Sequence, residues 1–104
     1  MILVNYSRKD GKISSMSAKG HAEYADHGED LVCSAASIVQ IGGINAIAKL
    51  GYIGIISYKV DAGDVEVKIN NTDVMELQMI LETILAQYES IAEEYPQYIT
   101  VQEV

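Results

Sequence analysis

One short stretch, GHAEYADHGEDLVCSAAS from Gly20 to Ser37, holds both histidines, the single cysteine and four carboxylates of this chain. A thiol beside an imidazole is the pairing that nucleophilic catalysis uses: the imidazole takes the thiol proton and later returns it to the leaving group. Cys33 follows Asp30, a residue type that caps helices by accepting a hydrogen bond from a first-turn N–H. That spacing places Cys33 in the first turn of a helix. There the unpaired N–H groups and the positive end of the helix dipole favour a thiolate. The free N–H groups of Cys33 and Ser34 would then hold an oxyanion. His21 stands twelve positions before Cys33, far enough for a loop to fold its ring back onto the sulfur. Gly20 and Gly28 allow the required backbone turns. His27 is a second candidate base, next to Gly28 and expected near the loop tip.

The same residues carry other readings. A lone Cys is often a small buried side chain, and its distance from His21 along the chain does not separate catalysis from packing. Glu23, Asp26, Glu29 and Asp30 oppose a thiolate by like charge, suit a basic substrate, or orient an imidazole. Asp30 is assigned first to capping. Ser37, one helical turn after Cys33, either lines a substrate groove or is a small packing residue. Two His and one Cys supply three metal ligands with no fourth and no common zinc spacing, so no metal and no other cofactor is expected.

The elements around this stretch follow from pattern. Ile2–Ser7 is a β-type run, Asp10-Gly11 is a two-residue hairpin signal, and residues 12–19 return, with Ser14-Ser15-Met16-Ser17 blurring the alternation. Gly20–Glu29 reads as a polar loop, with Ala22–Glu29 expected to cover the substrate and to move in its absence. A helix is predicted from Asp30 to Leu50, mostly buried on Ala35, Ile38, Val39, Ile41, Ala46, Ile47 and Leu50, and capped by Gly51. Gly42-Gly43 marks a close approach to another element. Residues 54–60 and 65–69 form a hairpin with Val65, Val67 and Ile69 on one face and Glu66 and Lys68 on the other. Asp73 and Glu76 make a capping box for a second helix to about Glu94, with Met75 and Met79 as packing residues. Pro96 stops it, and residues 97–104 close with a strand. The order is ββαββαβ, an α+β fold of one domain with a mainly antiparallel sheet and two helices on one face. A partly apolar second face would allow a dimer.

Composition sets the outer limits. Apolar content of 49 % and charged content of 21 % describe a globular chain long enough for its own core. Seven basic residues against fifteen acids give a net charge of −8, with no Lys/Arg cluster for phosphates. Nucleic acid is therefore not an expected direct partner, and a basic protein or peptide suits the charge. One Cys precludes an internal disulfide and fits a reducing cytoplasm. The start lacks a basic region before its short apolar run, so no signal peptide is expected. No run of about 18 apolar residues is seen, so no membrane span is expected either.

The motif is more specific than the spacing. Gly20-His21-Ala22, then Gly28, Asp30, Val32, Cys33, Ser34, Ala35 and Ser37, resembles the signature of the Prp family of bacterial ribosomal-processing cysteine proteases. The resemblance covers nearly the whole chain, and downstream it is one of layout. It implies an α+β homodimer with Cys33 as nucleophile and His21 as its partner. It implies a substrate-binding region around Gly20, Ala22, Ser34 and Ser37. The implied substrate is a short N-terminal extension on a large-subunit ribosomal protein, cut after an aromatic residue. A rival of another class is a ribosome-assembly or peptide-binding protein that holds the extension without cutting it.

Overall fold

The computed structural model describes the backbone of residues 1–20 and 27–104 and the side chains of 1–20 and 31–104. Strands β1 (Ile2–Lys9) and β2 (Lys12–Lys19) form a hairpin. Its turn residues Asp10 and Gly11 both take positive φ, 53° and 79°, as the Asp-Gly pair predicts for a turn matched to strand twist. Helix α1 (His27–Lys49) follows, then a single 3₁₀ turn at Ile53–Ile55, strands β3 (Ile56–Asp61) and β4 (Asp64–Ile69), helix α2 (Met75–Glu94) and strand β5 (Ile99–Glu103). The five strands lie in the order β3-β4-β2-β1-β5, antiparallel except for the β1–β5 pair. The fold is the expected α+β arrangement in the order ββαββαβ.

The blurred alternation of β2 has a cause. Ser7 pairs with Ser15 but Arg8 pairs with Ile13, so Ser14 is an extra residue in the ladder. This bulge resets the side-chain parity and puts Ile13 in the core along with Met16 and Ala18. The Gln78 side chain from α2 closes the site, accepting from the Ile13 N–H at 2.8 Å and donating to the Ile13 carbonyl at 2.9 Å. The Ser7 hydroxyl bonds those of Ser14 and Ser15 on the other face.

The core forms where one sheet face meets both helices. Ile2, Val4, Ala18, Val65, Val67 and Ile99 meet Val32, Ala36 and Ile47 of α1 and Leu77, Leu81, Leu85 and Tyr88 of α2. The reverse face carries Asn5, Ser7, Ser15, Ser17, Glu66 and Lys68, paired across strands. Apart from Leu3 it is polar, so little of the partly apolar second face expected from the sequence is found among the described residues. Ion pairs tie the layers at their edge: Arg8 to Glu82 at 2.8 Å and Lys12 to Asp73 at 2.6 Å. The Lys12 ammonium holds the Asp73 carboxyl below the ordinary aspartate value.

Three expectations about the helices are corrected. Helix α1 begins at His27, so Asp30 lies inside the first turn rather than before it, and His27 and Gly28 are helical. The glycine costs about 1 kcal/mol of propensity, which an established 23-residue helix absorbs. At α2 the cap residue is Val74 with no side-chain cap; Asp73 lies one residue before it and pairs with Lys12. Nor is α1 mostly buried. Ile38 is 73 % exposed, and Leu31, Ile41 and Leu50 are also open, as are Met75 at 72 % and Met79 at 65 % on α2. The span Leu31–Lys49, with a mean hydropathy of 1.7, is also long and apolar enough to cross a membrane, contrary to the sequence reading. Here its apolar residues divide between the core and an open groove.

Two glycines confirm their readings. A Cβ on Gly43 would meet the Ile84 side chain at 2.6 Å, so this glycine lets α1 approach α2. Gly51, at φ 94°, ends α1: its N–H donates to Ala48 and that of Tyr52 to Ile47, the double bond of a left-handed helix cap.

Candidate active site

Cys33 stands half-buried on the sheet-facing side of α1, where it lines a cavity of about 80 Å³. The sheet supplies Ile2 and Ala18, α1 supplies Ala36, Ser37 and Gln40, and Gly20 after β2 and Gly63 in the β3–β4 turn complete the wall. The Gly20 N–H donates to the Gly63 carbonyl at 2.9 Å, which ties the end of β2 to the β3–β4 turn beside the thiol.

Gly20 could not be another residue in this geometry. Its φ is 110°, and a Cβ would stand 2.3 Å from the Met1 carbonyl oxygen, a backbone atom that cannot swing away. The first residue of the Gly-His-Ala motif is thus a steric requirement where the chain leaves β2 toward His21. His21 and Ala22 lie outside the described residues, as does the loop assignment for 22–26. The side chains of His27, Gly28, Glu29 and Asp30 lie outside them too.

The long α1 changes the oxyanion argument. Only the first four N–H groups of a helix lack partners inside it. In a helix starting at His27, the amides of Cys33 and Ser34 fall beyond those four and are committed to carbonyls one turn back. The Ser34 side chain is exposed on the outer groove with Leu31, Ala35 and Ile38, away from the cavity that Cys33 lines. Ser37, in contrast, does share the cavity with Cys33, as its one-turn spacing predicts.

Gln40 falls within the helix predicted from Asp30 to Leu50, where sequence assigns it no role. It lies seven residues after Cys33, a spacing that returns to the same helix face, and it reaches the buried hydroxyl of Tyr88 on α2. Burial pushes the Tyr88 phenol well up, and the hydrogen bond with Gln40 pulls it partly back.

The family model described as Cysteine protease Prp matches residues 1–100. This chain belongs to the Prp family of cysteine proteases. It is 35 % identical over 106 residues to the ribosomal processing cysteine protease Prp of Staphylococcus aureus, covering 95 % of each chain. It is 28 % identical over 97 residues to the protein of that name from Bacillus subtilis, covering 88 % of this chain and 87 % of the other. A crystal structure of the S. aureus protease with a substrate peptide superposes at a TM-score of 0.87, with 32 % identity and full coverage of both chains. Another, with a covalently linked product peptide, superposes at 0.84 with the same identity and coverage.

Proposed function

We propose that this Prp-family protease removes a short N-terminal extension from a large-subunit ribosomal protein, with Cys33 as nucleophile and His21 as its acid–base partner. The observation that carries the reading is a count. A cysteine protease needs a cysteine nucleophile, and this chain has one cysteine, which stands half-buried on the wall of a cavity. The covalently linked product peptide on the S. aureus relative supports a covalent route. Gly20, on the wall of the same cavity, precedes His21 directly.

The chemistry runs in two stages. The Cys33 sulfur attacks the scissile carbonyl carbon after giving its proton to the His21 imidazole. The C–N bond then breaks as that proton passes to the departing amine, leaving a thioester. His21 next takes a proton from water, the hydroxide attacks the thioester, and the sulfur leaves with the proton. The net charge of −8 suits a basic ribosomal protein as substrate. The enzyme works in the cytoplasm as a homodimer joined through the apolar groove between α1 and α2.

Incubation with the extended ribosomal protein, read by mass spectrometry of its N-terminus, tests the assignment. The natural chain is expected to release the extension, and Cys33→Ala and His21→Ala to lose at least about a thousandfold in rate. Near-normal cleavage by either variant would overturn the dyad. No cleavage by the natural chain would leave a peptide-holding protein instead.

A further inference from the structure

The cavity at Cys33 has one feature that neither the dyad nor the fold uses. Cys33, Ser37 and Gln40 descend along one face of α1, at intervals of four and three residues. Apart from the thiol, Ser37 and Gln40 are the side chains that bring polar atoms to this cavity among the described residues. The rest of the wall is Ile2, Ala18, Ala36 and two glycines.

Gln40 forms the floor. Its amide bonds the Tyr88 hydroxyl, which sits in the core on a side chain only 2 % exposed. A glutamine amide offers two N–H donors and a carbonyl oxygen with two acceptor sites. Tyr88 takes one N–H, which leaves one donor and the carbonyl oxygen on a side chain that lines the cavity. A peptide group that enters must replace the water those sites would otherwise bind, or leave them unpaired at a cost. A wall of this kind discriminates strongly against a side chain that lacks the hydrogen-bonding group. Size narrows the choice. At about 80 Å³ the cavity formed by the described residues is roughly half the ~150 Å³ that admits benzene in an engineered core, which favours a small side chain over an aromatic ring.

We infer that Gln40, held by Tyr88, is a specificity-determining residue, and that the cavity it floors takes a small hydroxyl-bearing side chain, serine or threonine, of the peptide substrate. The inference rests on Cys33 being the nucleophile, as proposed above. The aromatic residue expected before the cut would then sit outside this cavity, so the two preferences belong to different positions of the peptide.

The test uses peptides spanning the cleavage junction, with threonine and valine exchanged at each flanking position in turn, and reads kcat/KM. The natural chain is expected to prefer threonine over valine at one position by about tenfold or more. The paired variant Gln40→Leu with Tyr88→Phe removes both polar partners at nearly constant volume and so keeps the core matched. It is expected to lose or reverse that preference while still cleaving. Tyr88→Phe alone, which releases the Gln40 amide, is expected to weaken the preference. If no position of the peptide distinguishes threonine from valine, or if the paired variant keeps the preference, the inference fails. Cleavage by Cys33→Ala would instead sink the nucleophile assignment, so the two failures are told apart.

Discussion

Gly20 shows how little freedom a single position near the thiol has. Its φ is positive, and an added Cβ would stand 2.3 Å from the Met1 carbonyl oxygen, a backbone atom just ahead of β1 and not a side chain that could repack. Gly20→Ala is therefore expected to displace either Met1 or the exit toward His21. The cost is on the order of 2 kcal/mol, or about 10 °C in melting temperature. Cleavage is expected to fall more than stability does, because the next residue is the proposed base. An unchanged melting curve together with unchanged kcat would show that the conformation at Gly20 matters to neither. The sequence suggested the glycine through its motif. The clash partner lies nineteen positions away along the chain and becomes visible once β1 and β2 pair.

Between elements, the join of α2 to β2 depends on Gln78. The bulge at Ser14 interrupts the β1–β2 ladder, and the Gln78 amide supplies both a donor and an acceptor to the Ile13 backbone beside it. Two such bonds at a part-buried site contribute about 2 kcal/mol together. Gln78→Ala is expected to lower the melting temperature by roughly 10 °C, measured by circular dichroism, and Gln78→Glu to fall nearly as far because a carboxylate cannot donate to the Ile13 carbonyl. A loss under about 2 °C for both would mean that the bulge holds its register unaided. Sequence pattern placed both elements correctly but offered no sign of this clamp. A glutamine on a helix looks the same whether it faces water or a broken strand ladder. The capping box failed because α2 starts one residue later than Asp73 requires: the cap position falls on Val74, and Asp73 pairs instead with Lys12 from a distant hairpin.

For the molecule as a whole, the open question is what covers the outer side of the helix layer. The groove between α1 and α2, about 550 Å³, is floored by Gly42, Gly43 and Ala46 and walled by Ile38, Met79 and Ile80. A second hollow of about 500 Å³ continues it past Leu31, Ala35 and Ile91. Contiguous apolar surface of this kind marks an interface, and the homodimer proposed above would bury it. Met79, on the wall of this groove, would then be a packing residue between subunits. Ile38→Asp is expected to convert a dimer to a folded monomer, seen as a halved mass by light scattering with a cooperative melt retained. A natural chain that runs as a monomer at every concentration, or an Ile38→Asp variant that stays dimeric, would remove this groove from the dimer model.

Local and periodic features were legible in the chain from the start: the Asp-Gly hairpin turn, the alternation of β4, the glycine cap after α1, the stop at Pro96 and the thiol motif itself. The first four depend on residues within about one helical turn or one hairpin of each other, so backbone sterics and side-chain periodicity suffice to read them, whereas the thiol motif was legible through its resemblance to the Prp signature. The start of α1, the partition of its apolar surface, the cap of α2 and the bond from Gln40 to Tyr88 were not legible. They depend on which distant groups compete for the same polar atom or apolar face. Asp73 lies next to the α2 cap but pairs with Lys12 of a distant hairpin, and Ile38 is core unless the sheet lies on the other side. That competition is settled by packing across the chain, and local pattern carries no record of it.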